Sequence, residues 1–211
     1  MSRRFIILTF ALLSACGGAG GGNEAFRASG EVIAFSGGDG GAEHACIACH
    51  GLKGEGDGRL APRLAGLDAG YLHRQLDDYA NGRRQHSEMR AIVRRLSGED
   101  REKVSAYYAA LPPTAAALPQ TSALYDEQCA QCHGAKGEGI GPANPPLAGQ
   151  SAAYIKAQLE AWRSGKRRGD PLGEMLAISR ALSPAEVQLL ASHADAPYSP
   201  PRPPPGPEAS R

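Results

Sequence analysis

The sequence predicts an all-α protein of two tandem, similar domains, each a small helical bundle. Three observations carry this. Apolar residues recur at 3/4 spacing, and no alternating run marks a strand. A set of residues following Cys49 returns in the same order following Cys132. The return distance is 83 residues, the size of a small domain rather than of a solenoid unit.

The amino end is read first. Arg3 and Arg4 precede the apolar run Phe5 to Leu13, a positive n-region and a short h-region, so residues 1–15 are expected to be an export signal. The run is too short to span a hydrocarbon core, which takes roughly 20 helical residues. Leu13-Ser14-Ala15-Cys16 resembles the lipobox of bacterial lipoproteins, which makes Cys16 the expected lipidation site and the expected first residue of the mature chain. An ordinary cleaved signal with a chance cysteine is the competing reading. Five of the six residues from Gly17 to Gly22 are glycine, so 16–36 is expected to be a lipidated flexible tether. Loss of Arg3 and Arg4 leaves 21 basic against 22 acidic residues, a balance of −1. Such a chain offers no large positive field to nucleic acid.

The first domain is expected over 37–111 and the second over 121–197. Tyr71, Leu72, Gln75, Leu76 and Tyr79 form one helix face closed by Gly82; Tyr154, Ile155, Gln158, Leu159 and Trp162 repeat it, closed by Gly165. A last helix follows in each copy. Ser97 with Asp100 opens one, and Ser183, Pro184 and Glu186 open the other as a capping box with proline at the first helical position. The prolines of 112–120 make a stiff linker. The Pro-rich residues 198–211 are expected to be a disordered tail.

Five cysteines are an odd count for an exported chain. The count resolves if Cys16 takes lipid and the others form Cys46-Ile47-Ala48-Cys49-His50 and Cys129-Ala130-Gln131-Cys132-His133. This CxxCH pattern is the attachment signature of c-type haem: two thiols bond the vinyl groups, and the following histidine reaches the iron. The expected cofactors are therefore two covalently bound haem c groups. A haem also supplies the core that a domain of this size lacks. Competing readings are a redox disulfide, structural disulfides, and a zinc site, whose CxxC pairs are usually roughly 15 to 20 residues apart. The strings Gly54-Glu55-Gly56-Asp57-Gly58 and Gly137-Glu138-Gly139-Ile140-Gly141 follow a haem motif instead of a strand, so they do not read as phosphate loops.

His50 and His133 are expected to supply one axial ligand each. The expected partners are Met89 and Met175, 39 and 42 residues further on, each placed in a loop between two helices. Met/His ligation raises a haem potential. Methionine as a core filler is the alternative, and His86 is a rival ligand at the first haem. His44, His73 and His193 are expected on the surface or in the core. Pro62 and Pro145, at matched positions, are expected to offer their carbonyls to the axial imidazoles; simple turn formation is the alternative.

The paired CxxCHG, KGEG, PxLAG and methionine signals, running from about Gly40 to Pro197, resemble the dihaem cytochromes of the c4 type, each half similar to a class I cytochrome c. The resemblance implies a helical fold, covalent haem in each domain, a periplasmic location, and electron delivery towards terminal oxidases or other acceptors. Two departures stand out: the glycine-rich stretch from Phe26 to Glu43 is long, and a lipid anchor is not typical of the type.

The expected function is single-electron transfer in a respiratory chain, with no catalytic residues. The expected partners are redox proteins, such as a quinol-oxidising complex, a terminal oxidase or a dehydrogenase, and the membrane through the N-terminal lipid. The expected location is the periplasmic side of a bacterial membrane, or the soluble periplasm if Cys16 is not lipidated. The alternatives are a fixed cytochrome subunit of a membrane dehydrogenase or oxidase, and a dihaem peroxidase. Arg83, Arg84, Arg90, Arg94 and Arg95, with Lys166, Arg167, Arg168 and Arg180, are read as a group that steers an acidic partner to a haem edge; a solvated charged surface is the alternative.

Overall fold

The computed structural model describes residues 29–113 and 117–194. The expected signal segment, Cys16 and the tail 198–211 lie outside the described residues. Among those described, every regular element is helical, and β-pairing is limited to two isolated bridges. No described helix is long and apolar enough to cross a membrane.

The first departure from expectation comes at the start. Residues 30–36, assigned to a flexible tether, form helix α1 (Gly30–Ser36). Ser29 caps it by accepting the Val32 N–H at 3.1 Å, and Ile33 and Ala34 are buried against the first domain. Two single 3-10 turns, Gly38–Gly40 and Ala42–His44, lead into the first CxxCH helix, α2 (Ile47–His50).

The first domain continues with α3 (Ala69–Ala80), α4 (Ser87–Val93) and α5 (Gly98–Ala110). The second comprises α6 (Ala123–Gln128), α7 (Ala130–His133), α8 (Ala152–Arg163), α9 (Glu174–Ala181) and α10 (Pro184–Ser192). Caps explain the starts. Asp68 accepts the Tyr71 N–H at 2.8 Å and Ser151 accepts the Tyr154 N–H at 3.1 Å, so α3 and α8 begin at matched places. Capping boxes at Ser97/Asp100 and Ser183/Glu186 open α5 and α10.

Each domain folds around its own core. Leu67, Leu72, Val104 and Tyr108 meet in the first, where α3 and α1 both pack on α5. Leu159, Leu182, Val187 and Leu190 meet in the second, where α8 packs on α9 and α10.

The methionines sit in helices and not in loops. Met89 and Met175 occupy the first turns of α4 and α9, because a side chain just upstream captures the N–H of each: His86 Nδ1 accepts it from Met89 at 3.4 Å, and Asp170 from Met175 at 2.6 Å. The apolar series Met89, Ile92, Val93, Leu96 keeps a 3/4 spacing that fits a helix.

Candidate functional site

Each CxxCH motif is held by the same backbone framework. Gly51 and Gly134, directly after the histidines, have φ of +80° and +84°, and a Cβ at either would lie 2.4 Å from the carboxylate of Glu55 or Glu138. Glycine is therefore required twice over. Those carboxylates fold back to accept the Lys53 and Lys136 N–H at 2.8 Å. Gly56 and Gly139 donate to the carbonyls of His50 and His133 at 2.8 Å, while Gly54 and Gly137 accept from Leu64 and Leu147. The KGEG string thus ties the CxxCH helix to the following PxLAG loop, a structural role in place of phosphate binding.

That tie delivers a carbonyl to each imidazole. His50 Nδ1 donates to the Pro62 carbonyl at 2.8 Å and His133 Nδ1 to the Pro145 carbonyl at 2.8 Å. Nε2 is then the unprotonated nitrogen, the tautomer suited to binding a metal. Burial depresses the pKa of both imidazoles, opposed by the proline carbonyls, so both rings are held neutral.

The competing readings of the cysteines lose support here. Burial pushes the Cys46 and Cys129 thiols up to about 11, the reverse of a reactive redox pair. All four motif cysteines are free. No three His, Cys, Asp or Glu side chains converge among the described residues in the manner of a zinc site.

A cavity of about 720 Å³ runs through both domains. Its wall holds Cys46, Cys49, His50 and Met89 in the first half and Cys129, Cys132, His133 and Met175 in the second, with leucine, tyrosine and proline between them. Each half therefore presents two thiols, a neutral imidazole and a thioether around an apolar slot, the donor set of an attached porphyrin. His86 also reaches the wall but is exposed, caps α4 and meets Tyr79 edge-on with ring centroids 6.3 Å apart. His44, His73 and His193 lie off the wall.

The two halves open into each other at a clasp that sequence reasoning missed. Arg84 and Arg167 pair as an antiparallel bridge, flanked by bonds of 2.7 Å from the Gln85 N–H to the Lys166 carbonyl and from the Arg168 N–H to the Arg83 carbonyl. Arg84 donates to Gln75 at 2.9 Å, and across the boundary to Tyr154 at 2.7 Å and Gln158 at 2.6 Å. Arg167 mirrors it, donating to Gln158 at 3.1 Å, Tyr71 at 3.1 Å and Gln75 at 2.9 Å. The repeated Tyr and Gln of the helix face are thus acceptors for arginine, and their recurrence at an offset of 83 was the available signal. Arg84 and Arg167 are only 5% and 8% exposed, which corrects their assignment to a surface steering group. Neither guanidinium meets a carboxylate among the described residues. Both line the cavity, where the acid groups of a porphyrin would complete them.

The family model described as Cytochrome c matches the chain twice, over residues 38–111 and 120–193. A protein named "Thiosulfate dehydrogenase electron acceptor" from Stutzerimonas stutzeri is 41% identical over 187 residues, spanning 81% of this chain and 87% of that one. Among solved structures, reduced recombinant cytochrome c4 from Pseudomonas stutzeri superposes with a TM-score of 0.61 at 30% identity, over 71% of this chain and 91% of that one. A thiosulfate dehydrogenase (TsdBA) from Marichromatium purpuratum does so with a TM-score of 0.68 at 37% identity, over 79% of this chain but 39% of that one. With two domains, each built around the same donor set, the chain belongs to the cytochrome c family as a dihaem electron carrier of the cytochrome c4 type and is not itself an enzyme.

Proposed function

We propose that this protein accepts electrons from a thiosulfate-oxidising dehydrogenase on the periplasmic side of a bacterial membrane, held there by lipid on Cys16, and passes them towards a terminal acceptor. The supporting observation is the 41% identity to a thiosulfate dehydrogenase electron acceptor, across 87% of that protein's length. The match to a thiosulfate dehydrogenase over 39% of its chain agrees. The lipid anchor and periplasmic location rest on the signal-like residues 1–15 and the lipobox.

Within the sites, Cys46, Cys49, Cys129 and Cys132 would hold the haems, His50 with Met89 and His133 with Met175 would supply the iron ligands, and the Pro62 and Pro145 carbonyls orient the imidazoles. Iron porphyrin supplies reversible one-electron chemistry. The chain fixes ligand geometry, keeps water from the ring faces with its apolar walls, and holds both imidazoles neutral.

Two measurements test this. Mixed with a purified thiosulfate dehydrogenase and thiosulfate, the oxidised protein is expected to become reduced; absence of reduction would overturn the assigned donor. Met89→Ala and Met175→Ala are each expected to remove one share of the near-infrared methionine–iron band and lower one potential. An unchanged band in either variant removes that methionine from the ligand set.

A further inference from the structure

The two peptides that hold the axial histidines differ in one respect, which the repeat makes visible. In the first domain the carbonyl that accepts His50 Nδ1 belongs to the peptide between Pro62 and Arg63. Its other polar end, the Arg63 N–H, donates to Gln150 Oε1 of the second domain at 3.1 Å. In a trans peptide the carbonyl and the N–H lie in one rigid plane and point in opposite directions. A single plane therefore joins the imidazole of one domain to a side chain of the other.

Gln150 holds that plane with both ends of its amide. While Oε1 takes the Arg63 N–H, Nε2 donates to the Arg63 carbonyl at 2.9 Å, and exchanging the two atoms would break both bonds. Gln150 is 6% exposed and Arg63 2%, so bulk water does not compete for either bond. The Arg63 guanidinium closes the link from its own side, donating to the Ala148 carbonyl at 2.9 Å and to the Ala65 carbonyl.

The second domain has no means of returning this link. The peptide that holds His133 runs from Pro145 to Pro146, and proline has no N–H to donate. At the offset of 83 the counterpart of Gln150 is Leu67, a buried residue of the first core. The clasp of Arg84 and Arg167 reaches equally in both directions, so docking of the domains is served without a contact aimed at one histidine.

We propose that Gln150 is a positioning residue for the first haem site, tuning His50 from the second domain through the Pro62–Arg63 peptide. By accepting the Arg63 N–H it polarises the peptide and makes its carbonyl a better acceptor, an effect of about 10–30% per bond in a hydrogen-bonded chain. A stronger bond at Nδ1 makes Nε2 a more basic ligand, which favours ferric over ferrous iron and lowers the first site's potential. His133 receives no such input. Two sites with the same donor set are thus made unequal by one glutamine. The inference deepens the electron-carrier reading and rests on His50 as an iron ligand.

The test uses the intact dihaem protein in its reduced, diamagnetic state, where each axial histidine gives an Nδ1–H signal displaced by the haem ring current in proton–nitrogen NMR. Gln150→Leu puts the residue type of the first copy at this position. It is expected to move the His50 signal upfield, to leave the His133 signal in place, and to raise the first site's potential in a redox titration followed by the same signals. Gln150→Glu offers the Arg63 N–H a stronger acceptor, so the His50 signal is expected to move the opposite way. Arg63→Gln is the control for loosened docking: it removes the guanidinium bond to Ala148, keeps the backbone N–H, and is expected to leave the His50 signal where it was. An unmoved His50 signal in both Gln150 variants, equal shifts at His50 and His133, or a shift in Arg63→Gln as large as in Gln150→Leu overturns the proposal. A spectrum in which His50 gives no displaced signal overturns the ligand assignment, and the proposal with it.

Discussion

At the residue scale, Arg84 and Arg167 organise the molecule. Each guanidinium satisfies acceptors in both domains at once, which a planar fork of donors does and an ammonium group does not. Arg84→Lys is therefore expected to leave Tyr154 or Gln158 without its donor. A buried polar group so stranded costs about 1–3 kcal/mol. Denaturant unfolding of the haem-loaded protein should show a loss of that size, and small-angle scattering a less compact pair of domains. No loss would mean that the clasp contributes nothing net. Arg63 adds an asymmetric link: buried, it donates through its guanidinium to the Ala148 carbonyl at 2.9 Å and receives Gln150 Nε2 on its own carbonyl at 2.9 Å. Its counterpart in the repeat is Pro146.

At the scale of the element, α1 and α10 make separate predictions. Helix α1 sits so close to α5 that a Cβ on Gly30 would meet the Lys103 carbonyl at 2.0 Å. Gly30→Ala is expected to lift α1 from the domain, seen as faster proteolysis between residues 30 and 45 with the haem spectrum unchanged. Equal protection in the variant would mean that the contact is easily relaxed. At α10, backbone and side-chain bonds to Ser183 hold the Glu186 carboxyl below its ordinary range. A depressed carboxyl stabilises the fold above its unfolded pKa, and that contribution fades as pH falls through the folded value. Ser183→Ala is expected to cost about 1 kcal/mol at neutral pH. The difference from the parent protein should shrink under acid, as read by denaturant titration at two pH values; a constant difference would remove Glu186 from the account.

At the scale of the whole molecule, a cavity of about 720 Å³ joins the two cores, and domains this small gain much of their stability from a bound group. Cys129→Ser with Cys132→Ser, which prevents attachment at the second site, is expected to leave the first domain folded. The second should lose amide protection in hydrogen exchange, and Arg84 should lose its partners on α8. Full protection of the second domain would show that its core needs no haem.

The parts legible in the sequence are those that local chemistry dictates. The CxxCH pairs, the glycines that follow them, the capping boxes and the helix faces from Tyr71 and Tyr154 each depend on near neighbours, and the repeat displayed them twice. The tether was misread at 30–36 because the burial of Ile33 and Ala34 needs α5, distant in the chain. The methionine loops were misread because the side chains that accept the methionine N–H groups, His86 and Asp170, differ in type and spacing between copies and lack a common pattern. Alone, then, the sequence determined two haem-binding helical domains and the CxxCH motifs that mark them. Only the tertiary structure decided which arginines face water and which lock the domains together. A surface charge and a buried one look alike until the other domain supplies, or withholds, the acceptors that make burial affordable.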